Sequence, residues 1–80
     1  MLSDLANHEK VIGLKQTKRA VQSGAAVCVW LGTDADPLLL APLKTACAQA
    51  GIRPVETMTM AELGKAFGIT LRAAACATIR

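Results

Sequence analysis

Three cations and an amide crowd the segment Gly13-Leu14-Lys15-Gln16-Thr17-Lys18-Arg19. A short apolar run, Val11-Ile12, meets a glycine there, and a polar, basic helix start follows. A helix beginning at this point aims unpaired backbone N–H groups, the positive end of its dipole and Lys/Arg side chains at one spot. The chemistry that fits such a spot is recognition of a phosphate or of an electronegative nucleobase edge. Four of the nine Lys/Arg lie between Lys10 and Arg19, with Glu9 the one bordering acid. The overall charge of +3 is mild, so the clustering carries more of the argument than the sum.

No other residues form a reactive set. Asp34-Ala35-Asp36 has the flavour of a Mg²⁺ site, but Asp36 before Pro37 is better used as a helix cap. His8 has no recognisable acid or nucleophile partner, Ser3 and Ser23 lack a nucleophile motif, and the glycines form no phosphate loop. Cys28, Cys47 and Cys76 are widely spaced among apolar neighbours, which excludes a zinc pattern and points to buried thiols in a reducing compartment. We therefore expect a non-enzyme with no catalytic residues, no metal, no cofactor and no small-molecule substrate. Charges at Asp4, His8, Glu9 and Lys10 interrupt any leader-like pattern, and no apolar run is long enough to span a bilayer. The expectation is a cytoplasmic protein with no membrane partner.

Eighty residues make one small domain, 1–80, without room for a deep cleft. The composition is 52% hydrophobic but 2% aromatic, so the core must be built from Ala, Val, Leu and Ile. Trp30 and Phe67 are too few for a base-stacking sheet face. The elements that must hold the basic segment read as follows. Leu2 to His8 suits a short helix, Lys10 to Leu14 a strand, and Lys15 to Gln22 a helix stopped at Gly24. Ala25 to Leu31 is a strand buried on both faces. Pro37 to about Ala50 is a helix ending at Gly51, with Pro42 either inside an irregular first turn or marking the start proper. Arg53 to Glu56 or Thr57 is a short strand, and Thr59 with Glu62 forms a capping box for a helix ending near Phe67-Gly68. Leu71 to Ile79 is alanine-rich, but its parity groups Ile69, Leu71, Ala73, Ala75, Ala77 and Ile79 on one side and favours a strand. The alternation predicts a three-layer α/β/α sandwich around a central four-stranded mixed sheet.

The series Gly13 to Arg19, Leu31-Gly32-Thr33-Asp34-Ala35-Asp36-Pro37, Gly51-Ile52, Leu63-Gly64-Lys65-Ala66-Phe67-Gly68 and Ala73-Ala74-Ala75 resembles the kink-turn RNA-binding ribosomal family of L-seven-Ae type. It is most like the small bacterial, ribosomal-protein-like members. The resemblance implies binding to kink turns, helix–bulge–helix RNAs bent around sheared G·A pairs, with the second helix's N-terminus in the widened major groove. The family's usual asparagine falls on Lys15, its glutamate on Gln16 and its basic residue on Arg19. Lys15 only donates, to guanine O6/N7 or phosphate, while Gln16 accepts through a neutral oxygen, a weaker contact than an anion makes. The implied RNA-binding residues are Gly13, Leu14, Lys15, Gln16, Lys18 and Arg19, with Thr57, Met58 and Thr59 in a loop that holds a nucleotide thrown out of the bulge. Met60 beside them is a staple or a further contact. The expected partner is structured RNA with a kink turn, ribosomal RNA among the candidates, bound by a monomer. The alternative is a protein-interaction module on the same fold, which has no need of Lys15, Gln16 and Arg19 at one helix start.

Overall fold

The computed structural model describes residues 9–80; the helix expected over Leu2 to His8 lies outside them, as does His8 itself. Strand β1 (Glu9–Ile12), helix α1 (Leu14–Gln22), strand β2 (Ala26–Gly32), helix α2 (Pro37–Ala50), strand β3 (Val55–Met58), helix α3 (Met60–Ala66) and strand β4 (Ala75–Ile79) follow in order. The sheet order is β1-β4-β2-β3. Strand β4 is antiparallel to both β1 and β2, and β3 is parallel to β2, so the sheet is mixed.

Alternation along the strands sorts the apolar side chains into two layers. Val29, Leu31, Ala75 and Ala77 face α1 and α2 in one cluster with Val21, Leu40, Leu43 and Cys47. Trp30 and Cys76 face α3 in a second cluster with Leu63 and Phe67. The two aromatic rings meet edge to face, centroids 5.4 Å apart at 70°. This is the expected three-layer arrangement. The alanines of β4 let helices approach a central strand whose Ala75, Cys76 and Ala77 are fully buried.

Local signals fix the helix ends. Asp36 caps α2, its Oδ1 accepting from Leu38 N at 2.9 Å, and Pro37 occupies the first turn. The helix runs on through Pro42, whose missing N–H would have served the Leu38 carbonyl, because residues 38, 41 and 42 are exposed and water can reach that carbonyl. Gly51 ends it in the left-handed region, φ 73°. Thr59 and Glu62 form the capping box of α3 in both directions.

Several boundaries depart from the sequence reading, β1 starting at Glu9, β2 at Ala26 and β3 ending at Met58 among them. Leu14 opens α1 rather than closing β1, because Gly13 turns the chain out of the sheet at φ 111°. Strand β2 reaches Gly32, and its Val27 is 37% exposed, so burial on both faces fails at that residue. Strand β3 starts at Val55, two residues later than expected. The largest correction is β4, which begins at Ala75: residues 69–74 form a loop, and Leu71 is 76% exposed instead of sharing the buried side with Ala75.

Candidate nucleic-acid interface

The strand directions bring the C-terminal ends of β1, β2 and β3 and the start of β4 to one edge of the sheet. Helices α1, α2 and α3 each begin just beyond that edge. In open α/β sheets this is the edge at which ligands bind.

Consecutive residues Ala73, Ala74 and Ala75 lace the edge together. Gly13 N–H donates to the Ala75 carbonyl at 2.8 Å, Gly32 N–H to the Ala74 carbonyl at 2.9 Å, and Ala73 N–H to the Met60 carbonyl at 3.1 Å. Thr33 N–H adds a bond to the Met58 carbonyl at 2.8 Å, and Met60 N–H donates to Asp34 Oδ1 at 2.7 Å. The start of α1, the β2–α2 loop and the β3–α3 loop thus share one scaffold of backbone bonds. The Asp34 and Asp36 carboxylates are engaged as backbone acceptors.

At the start of α1 no side chain caps the helix and no acid sits in its first turn, which leaves its leading N–H groups open. Lys15, Gln16 and Arg19 are exposed, and Lys18 is half-buried. Among the described residues the ion pair is Lys44–Glu56 at 3.2 Å, so Lys15, Lys18 and Arg19 face no acid there. A Cβ at Gly13 would stand 2.6 Å from Gln16 Oε1, so the Gln16 carboxamide folds back over the helix start. Leu14 leans onto the core and Thr17 is fully buried, which separates the inward face of the segment from the cationic one.

The second region, expected as a loop, divides: Thr57 and Met58 belong to the end of β3, and Thr59 alone links that strand to α3. Thr57 is exposed, while Met58 is half-buried against the Trp30 cluster. The Thr59 hydroxyl accepts from Glu62 N–H at 3.2 Å, so Thr59 works first as a helix cap. The Glu62 carboxyl is held below the ordinary carboxylate range, chiefly by the Thr59 N–H and then by the Thr59 hydroxyl. Met60 touches both Gly32, by its side chain, and the first core cluster, which makes it a packing residue between loops.

Sequence reasoning missed Leu71 and Arg72. Both are exposed on the 69–74 loop whose end laces the edge. The loop is clamped because α3 carries Gly64 where the Leu71 carbonyl lies against it, leaving no room for a Cβ. The available signal was Gly64, a glycine inside a helical pattern, which marks a close backbone approach.

These features define a small α/β domain with a cationic, uncapped helix start on a loop-rich sheet edge. The model of the ribosomal protein L7Ae/L30e/S12e/Gadd45 family matches residues 2–80, and the chain belongs to that family. An RNA-binding protein of Geobacillus sp. (strain WCH70) is 40% identical over 70 residues, covering 88% of this chain and 85% of that protein. RNA-binding protein YbxF of Geobacillus stearothermophilus is 39% identical over 70 residues, with the same two coverages, 88% and 85%. The solved structure of the Giardia lamblia 15.5kD RNA binding protein superposes with a TM-score of 0.83 at 21% identity, over 99% of this chain and 67% of that one, and shares the fold. Both bacterial relatives are named as RNA-binding proteins, and this chain shares their family.

Proposed function

We propose that the protein recognises and stabilises kink turns in structured RNA. The observation that carries this reading is the meeting, on one hydrogen-bonded edge, of the uncapped α1 start bearing Lys15 and Gln16 with the end of β3 at Thr57–Thr59 and the 69–74 loop. A bent RNA offers the two things such an edge can use: an opened major groove for the helix tip and an unstacked nucleotide for the strand end and the loop. Lys15 donates to guanine O6/N7 or phosphate, and Gln16 reads a purine edge from a carboxamide already folded over Gly13. Lys18 and Arg19 hold the backbone. Leu71 and Met58 supply apolar contact for the extruded base.

Both aromatic rings are buried, Trp30 at 2% and Phe67 at 4% exposure. That supports recognition by shape and groove contact over stacking on a sheet. The mechanism is a shift of population: the protein binds the bent RNA and draws the partly unbent ensemble towards it. The same reading has the protein acting as a monomer on ribosomal or regulatory RNA in the reducing cytoplasm, in keeping with its three free thiols.

The test is a titration of a kink-turn duplex labelled at its two ends, read by energy transfer, beside a duplex whose G·A pairs are disrupted. Saturable bending of the intact RNA alone is the expected result. Equal binding of both RNAs would reduce the interaction to charge attraction.

A further inference from the structure

A trough runs down the flank of α1, away from the edge just described. Its floor is apolar, formed by Val11, Ala20, Ala25 and Ile79. Gln16, Arg19 and Ser23, one helical turn apart in succession, make its rim. The cavity measures about 260 Å³, below the range of roughly 300–1,000 Å³ usual for sites that enclose a drug-sized ligand. It is a site for one flat group.

We infer that this trough holds a single unpaired nucleobase of the RNA strand that leaves the α1 docking site, an inference that rests on the RNA reading above. Four observations select that occupant. The trough shares Gln16 and Arg19 with the interface, so a strand bound there continues into it without crossing other surface. Its rim carries one cation, Arg19, which forms no ion pair among the described residues and so can meet a polyanion. Its floor is aliphatic, which a sugar-phosphate chain alone would not use and the face of a base would. Finally, neither ring of the protein is available, and the exposed Arg19 guanidinium has a planar cationic face that can stack on a base while its N–H groups reach the adjoining phosphate. The Ser23 hydroxyl donates to the Ala20 carbonyl at 3.1 Å and so presents its lone pairs outward, an acceptor for a base amino or imino group.

The floor is rigid enough to test. Ala25 is pinned on both sides, its N–H donating to the Ala20 carbonyl at 3.0 Å and its carbonyl accepting from Arg80 N–H at 3.1 Å. A larger side chain at this position fills the trough and leaves Lys15 untouched. Methyl-labelled protein is titrated with a uridine trinucleotide and with an abasic trinucleotide, and the Val11, Ala25 and Ile79 methyl resonances are followed.

With the uridine trimer the methyls are expected to shift and saturate in roughly the millimolar range, the affinity of one small contact. The abasic trimer should leave them in place. Ala25→Leu should reduce the Val11 and Ile79 shifts about fivefold or more while the energy-transfer titration of a kink-turn duplex with no unpaired nucleotide outside its bulge stays as in wild type. Methyls that respond to neither trimer, or equally to both, overturn the inference. If Ala25→Leu does not fold, the intact-against-abasic comparison on the wild-type protein decides alone. Silent methyls beside normal kink-turn bending sink the trough only; loss of both sinks the parent reading.

Discussion

Gln16 shows how a neutral residue can stand where an anion is usual in the family it resembles. Its carboxamide lies against Gly13, whose φ of 111° brings the backbone close beneath it. The side chain is thereby held near the helix tip before any ligand arrives, which offsets part of the weaker, uncharged hydrogen bond. Lys15 and Arg19 add charge without geometry of that kind, since both are exposed and face no acid among the described residues. Different substitutions should therefore fail differently. Lys15→Ala and Arg19→Ala are each expected to weaken kink-turn binding by about 1 kcal/mol or more, with a shallower salt dependence. Gln16→Ala should instead narrow the gap between intact and G·A-disrupted RNA. Titrations at two salt concentrations separate the two behaviours, and wild-type affinity in both cationic variants would move the interface elsewhere.

At the scale of elements, the 69–74 loop decides whether the edge is one surface or three. It depends on Gly64, where a methyl group would meet the Leu71 carbonyl. Gly64→Ala should displace the loop and destabilise the fold by roughly 1–3 kcal/mol, the range for overpacking at a tight contact. Denaturant unfolding measures the loss. Helix α3 is held at its other end by the capping box. Thr59→Ala should cost about 1 kcal/mol. Because Glu62 titrates below its ordinary range when folded, its contribution is present above that range and is lost as pH falls through the folded value. The variant should accordingly show a smaller acid-side loss of stability than wild type.

These elements also mark what could be read from residues alone. Asp36-Pro37, Gly51 and the Thr59–Glu62 box were legible because each signal and its consequence lie within one turn of helix. The start of β4 was not. The alternation from Ile69 to Ile79 continues unbroken in the sequence, but the chain joins the sheet at Ala75 because Ala73 N–H bonds the Met60 carbonyl and the Leu71 carbonyl lies against Gly64. Those tethers are tertiary, and parity carries no trace of them. The α1 segment was legible as chemistry, and Lys15, Gln16 and Arg19 are exposed; the strand pairing of Met58 and its partial burial were not legible, because both depend on β2 and the Trp30 cluster.

For the molecule as a whole, two apolar layers on a sheet of small residues produce a thin domain in which much of the centre is β4. Its Cys76 is fully buried, and burial pushes the thiol up to about 12, against the smaller opposing effect of the Gly13 N–H. Burial likewise raises Cys47. Both thiols keep their protons where an unfolded chain would begin to release them, so stability should decline as pH rises past about 9. Alkylation near pH 8 should modify the half-exposed Cys28 first and leave Cys47 and Cys76 intact until the chain unfolds, a sequence that mass spectrometry follows directly. Modification of all three at one rate would mean that the sheet opens as easily as the surface.

The Trp30–Phe67 pair has a practical corollary. With one indole and no tyrosine in the chain, near-ultraviolet emission comes from a ring sealed beneath α3. That emission should stay constant while nucleic acid docks and change sharply when the domain melts. The protein thus carries an optical gauge of its own integrity that is blind to its ligand, so a variant that has lost affinity can be told from one that has lost its shape in the same cuvette.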